Sequence, residues 1–244
     1  MTPWDFRETH ALVERAYGSE QLALVRPCLR SIVDRQNFGK YHYQESQRLI
    51  KAFQRRHLND KMLMVALHGG REHERSRVAF EHLMIKAGAH ITACIQCLHA
   101  VPDILASAVY FGSGLNLTAH PLKDRDVSIK AVVAAARANA DLRRLGDLLD
   151  IIASGSQYEH LSALSNLSKH RTIIRTSLNE DWTGSRQDRY ELHLTSFNKQ
   201  TGGGTKEYAQ ASVAFLLVPE SERLSRHVID VGHELNASLR RIAP

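Results

Sequence analysis

A chain of 244 residues with 43% hydrophobic and 24% charged residues is long enough to bury a substantial core and too apolar to be disordered. Three cysteines are too few, and odd in number, for a disulfide framework, which points to a reducing, cytoplasmic compartment. No stretch approaches the roughly 20 apolar residues of a membrane helix, and Met1 to Arg7 places Asp5 ahead of any apolar run, so it does not read as a signal peptide.

In chain order, a helical segment is expected from about Phe6 to Asp34, interrupted near Gly18 and Pro27. A second helix is drawn from Gln44 to Arg56. Between Arg26 and Arg56 stand eight basic residues against Asp34 and Glu45, a surplus equal to the net charge of +6 of the whole chain. Arg48, Lys51 and Arg55 share one face of that helix at i, i+3 and i+7, with Leu49 and Phe53 on the other side. Phe38, Tyr41, Tyr43 and Phe53 are interleaved, and a basic, aromatic-dotted face suits a nucleic-acid backbone. A solvated helix face explains the same residues.

A long helix is expected from about Arg71 to Phe111, kinked at Pro102, before a loop marked by Gly112, Gly114 and Pro121. Val127 to Ile152 is amphipathic, with Leu142, Leu145, Leu149 and Ile152 on one stripe. Ser154-Gly155 breaks it, and Ser156 with Glu159 reads as a capping box for a helix carrying Leu161, Leu164, Leu167 and Ile174. Arg189 to Phe197 and Tyr208 to Phe215 alternate, and Gln200 to Gly204 between them predicts a β-hairpin. A last helix is expected from Pro219 to Ile242, with Pro219 in its first turn.

Three motifs invite chemistry. Cys94 and Cys97 with His90 fall on one helix face, a spacing that could hold a metal, but no fourth ligand stands out; small buried bundle residues explain them better. Gly202 to Gly204 lacks the strand-loop-helix context and the Lys-Ser/Thr pair of a phosphate loop. The segment Ser165 to Arg171 is more informative. Asn166 and His170 project side by side, His170 can exchange a proton near neutral pH, and Lys169, Arg171 and Arg175 would attract a phosphate.

Here the chain resembles the all-helical HEPN domains (higher eukaryotes and prokaryotes nucleotide-binding), whose motif runs Arg, a polar residue, three residues, His. Asn166 and His170 match the polar residue and the His, while Ser165 stands where the arginine should be. Phe80-Glu81-His82, the run His99 to Leu105 and a hairpin before a C-terminal helix are similar to a bacterial HEPN-like group, over roughly Arg71 to the C-terminus. The resemblance implies a homodimer and, in active members, metal-independent RNA cleavage with the His in proton transfer and the Arg on the phosphorane charge. Serine supplies no cation. Arg77 and His82 repeat the motif's spacing with an arginine but have Val78 in the polar position.

The expectation is therefore a mainly α, single-domain helical bundle over 1–244. Residues 1–60 form a basic helical region packed on it, and one β-hairpin precedes the C-terminal helix. The functional expectation is a non-catalytic or weakly catalytic HEPN-like dimer that binds RNA or a nucleotide, in a stress or defence setting, with no metal, cofactor or membrane. Arg48, Lys51, Arg55, Lys169 and Arg175 would serve the nucleic acid. The alternatives are an endoribonuclease using His170, with Asn166 and Arg171 or with Arg77 and His82, and a helical scaffold with no nucleic-acid role.

Overall fold

Asp5 opens the first helix by accepting hydrogen bonds from the amides of Arg7 and Glu8 (2.9 and 3.2 Å). A computed structural model describes residues 2–58, 61–68, 70, 73–186 and 188–242. Over these residues the helices are α1 (Phe6–Tyr17), α2 (Ser19–Phe53), α3 (Leu63–His68), α4 (Glu74–Gly112), α5 (Ile129–Ala138), α6 (Arg143–Ile152), α7 (Ser156–His170) and α8 (Val213–Ile242). The strands are β1 (Thr176–Glu180), β2 (Tyr190–Leu194), β3 (Phe197–Thr201), β4 (Gly204–Tyr208) and β5 (Ala211–Ser212). The protein is mainly helical, 74%, with small antiparallel sheets between α7 and α8.

Several expected boundaries move. Gly18, at φ 88°, separates α1 from α2, but Pro27 does not interrupt the helix, and the two expected N-terminal segments join through 35–43. Pro27 is exposed, so the carbonyl it leaves unbonded faces water, while Val25, Leu29 and Ile32 bury the opposite side. Beyond Phe53 the chain winds into a five-residue π turn, Gln54–Leu58. Arg71, the expected start of the next helix, lies outside the described residues; α4 begins at Glu74 and carries Pro102 inside it. By length and composition α4 is apolar enough to cross a membrane, contrary to the sequence reading, and 61% of its apolar window is buried inside the protein, as in a core helix. The Val127 to Ile152 segment is two helices joined by a 3-10 turn at Ala140–Leu142, with all four stripe residues buried.

The β region differs most. Helix α7 stops at His170, so Ile174 is buried outside it. The hairpin is β3 with β4, closed at Thr201↔Gly204, rather than a pairing of Arg189 to Phe197 with Tyr208 to Phe215. Strand β2 instead pairs with β1 and β5 in the order β1-β2-β5, with Leu178 opposite Leu192. Phe215 is helical, because the Ser212 hydroxyl accepts from its amide (3.2 Å) and starts α8 there. Val213, Leu216, Leu217 and Glu220 are then buried at helical spacing, and Pro219 lies inside the helix rather than in its first turn.

The chain forms two compact units: Met1–Asn37, Leu98–Glu159 and Glu220–Pro244 make one, and Phe38–Cys97 with His160–Pro219 make the other. In the first, the Glu220 carboxylate is fully buried and held by Arg223, whose guanidinium also donates to the carbonyls of Ile151 and Ile152 (3.2 and 2.8 Å). The second carries the sequence-derived site residues.

Candidate nucleic-acid interface

The site is organised by the end of α7. The amides of Arg171 and Thr172 both donate to the Leu167 carbonyl (3.0 and 3.1 Å), which closes the helix. Lys169 and His170 occupy its last turn, where cations complement the negative end of the helix. That placement alone is ordinary capping. Asn166 and His170, one turn apart, are both exposed, and the Asn166 amide donates to the Ser162 hydroxyl (3.3 Å).

Hairpin strand β3 adds what the local sequence does not show. Lys199 and Gln200 close a cleft of about 220 Å³ whose other walls are Ala163, Asn166, Leu167, His170 and Arg171. Two cations, an imidazole and two amide side chains thus converge on one hollow with no carboxylate among its described lining residues. Among the described residues neither Arg171 nor Lys199 is ion-paired. Such a hollow can hold a phosphate by charge and hydrogen bonding together.

Ser165 faces the other way. Five residues from His170, it sits roughly 140° around the helix; it is fully buried, and its hydroxyl has no hydrogen-bond partner. An arginine there would enter the core rather than the cleft. The cations that share the cleft with His170 are Arg171 and Lys199.

The remaining expected residues scatter. Arg48 is locked onto Glu45 by three hydrogen bonds (2.5, 2.8 and 3.0 Å), which neutralises one member of the expected basic face. Lys51 and Arg55 are exposed, with the Arg55 Nε donating to the Lys51 carbonyl (3.2 Å). Phe53 is buried and Leu49 half-buried on the opposite side. Lys169 and Arg175 are exposed but do not line the cleft. Arg77 is ion-paired with Glu74, and His82 lines a different hollow whose lining does not include Arg77.

Cys94 and Cys97 are buried, and burial pushes the Cys94 thiol up to about 12, leaving it protonated and inert. His90 is instead paired ring to ring with His42 (Nδ1 to Nδ1, 2.9 Å). Burial, and then the charge of His90, hold the His42 pKa below its ordinary value. One imidazole donates and the other accepts, so the pair carries at most one proton at that contact.

No known family model, curated protein or solved structure matches this chain.

Proposed function

We propose that this protein is a HEPN-like RNA-binding protein that grips a phosphate of the RNA in the α7–β3 cleft and does not cleave it. The observation that carries this is the convergence of His170, Asn166, Arg171, Lys199 and Gln200 on one hollow without a counter-carboxylate. Lys51 and Arg55, both exposed on α2 and its π turn, offer further cations to a strand. A homodimer in a cytoplasmic stress or defence setting is part of the same reading. The burial of Ser165 supports its non-catalytic side, because no cation stands at the motif position to stabilise a phosphorane.

The experiment is RNA binding by the purified protein as a function of salt, with a parallel cleavage assay in chelator. Wild-type affinity falls steeply as salt rises, and Arg171→Gln with Lys199→Gln, which together hold one phosphate, reduces the slope by about 0.7, the share of one single-strand phosphate contact. No RNA is cut. Affinity indifferent to salt and to both substitutions would return the protein to a scaffold role. Cleavage by the wild type that disappears in His170→Ala would establish the nuclease reading, with Arg171 and Lys199 standing in for the missing arginine.

A further inference from the structure

A second hollow lies where α2 passes into its π turn and faces the first half of α4. It measures about 210 Å³ and is lined by Leu49, Ala52, Phe53, Arg56, His57, Ala79, His82, Leu83 and Lys86. Its floor is apolar: Phe53 and Leu83 are each 5% exposed, and Leu49, Ala52 and Ala79 complete it. Its rim is nitrogenous: one guanidinium, one ammonium and two imidazoles, with no carboxylate among the described lining residues. Arg56 and Lys86 make no ion pair among the described residues. Gathering two obligate cations beside two titratable rings costs repulsion that an anion in the hollow would relieve.

Two further observations point to a flat ligand. The His57 ring lies over Phe53 nearly parallel, centroids 5.1 Å apart at 21°, and Phe80 backs Phe53 at 5.7 Å. The half-buried His57 ring, backed by the buried Phe53, is thus the accessible aromatic surface of the hollow, with cations at its edge. The segment that delivers Arg56 and His57 is the π turn Gln54–Leu58, a rare geometry that occurs frequently at functional sites. The volume lies below the roughly 300–1,000 Å³ of drug-sized pockets, which leaves room for one ring system with its anionic group on the rim.

We propose that this hollow binds a nucleoside monophosphate, the base against Phe53, His57 and Leu83 and the phosphate on Arg56, Lys86 and His82. Stacking on an aromatic wall contributes in a base-tolerant way, while the phosphate contributes through charge and forked hydrogen bonds. The same chemistry is offered by a free nucleotide or by the 5′-phosphorylated end of a single strand. The site is independent of the α7–β3 cleft and stands whether or not that cleft binds RNA.

The test is calorimetry of the full chain in low salt with adenosine 5′-monophosphate, ribose 5-phosphate and adenosine. Adenosine 5′-monophosphate binds at least tenfold tighter than either half. The double variant Arg56→Gln/Lys86→Gln, exposed positions that leave the fold intact by circular dichroism, loses at least tenfold. His82→Gln loses less, and Lys130→Gln, far from both hollows in sequence, loses nothing. A 5′-phosphorylated single strand that displaces the nucleotide assigns the source to RNA; failure to displace it assigns the site to the free nucleotide. No binding of adenosine 5′-monophosphate at millimolar concentration, equal binding of ribose 5-phosphate, or full affinity in the double variant would overturn the proposal.

Discussion

Gly232→Ala is the sharpest probe of the fold, because two effects predict opposite signs. By helix propensity alone, alanine in the interior of α8 should stabilise by up to ~1 kcal/mol. At this position, however, an added Cβ would lie 2.0 Å from Trp4 Cδ2 and 2.3 Å from Cγ. The indole is only 9% exposed, packs edge-on against Phe6 at 4.8 Å, and donates from Nε1 to the Thr9 hydroxyl (2.8 Å). Thr9 in turn donates to Asn236 (2.7 Å), so the indole cannot slide without stranding a buried hydrogen-bond chain. Expelling a buried tryptophan costs about 3–5 kcal/mol, several times the propensity gain. For a chain of this length that lowers Tm by roughly 6–20 °C, at ~2–4 °C per kcal/mol. The assay is thermal unfolding together with tryptophan emission in a Trp182→Phe background, since Trp182 is 56% exposed and would mask the signal. Emission shifts to the red as Trp4 meets water. A variant as stable as its parent, with unshifted emission, would refute the packing of Trp4 on Gly232.

Ser165→Ala removes a buried hydroxyl that bonds to nothing, so stability in urea is unchanged or higher by ~1 kcal/mol. Ser165→Arg restores the motif arginine on paper, yet buries an unpaired charge at a cost of about 3–5 kcal/mol and produces no RNA cleavage. A Ser165→Arg protein that unfolds like the wild type and cuts RNA would contradict both halves. The pH dependence has a defined sign. Burial, and then the charge of Lys206, hold His160 below its ordinary pKa of 6.5 where it packs against the stacked pair of Phe197 and Tyr208. The folded state therefore disfavours the proton: stability is full above pH 6.5 and drains as pH falls through the lowered value. His160→Phe makes the acid limb of the urea midpoint shallower, while His10, His42 and His227, lowered likewise, keep contributing to it. An identical limb in the variant would exclude His160 from that limb.

Helices with a strong stripe and a clear breaker were legible in the sequence: Leu142, Leu145, Leu149 and Ile152 are all buried, and Gly18 and Gly114 take the positive φ that ends a run. Strand β1 was not, because Thr176–Glu180 offers one buried apolar residue, Leu178, and draws its place from pairing with β2. The end of the alternating run Tyr208 to Phe215 misled in the opposite way. Its β-branched and aromatic content reads as strand, but the Ser212 cap and helical burial decide for α8. Asn166, His170 and Arg171 could be found because one helix turn brings them together. Lys199 and Gln200 could not, since only the β3–β4 hairpin carries them to the cleft. The nitrogen-rimmed hollow was hidden for a related reason: a π turn has no sequence period to read.

The bonds between the first and last helices have a consequence for synthesis. Thr9 and Asn236, 227 positions apart, share a buried hydrogen bond, and Arg240 reaches Glu8 across a similar span. On a ribosome adding ~5–20 residues per second, the apolar side of α1 waits roughly 10–45 s for the helix that covers it. During that interval Trp4 lacks the Gly232 face it packs on and Thr9 lacks Asn236, so nascent chains stalled before residue 232 should be the ones that holdase chaperones retain.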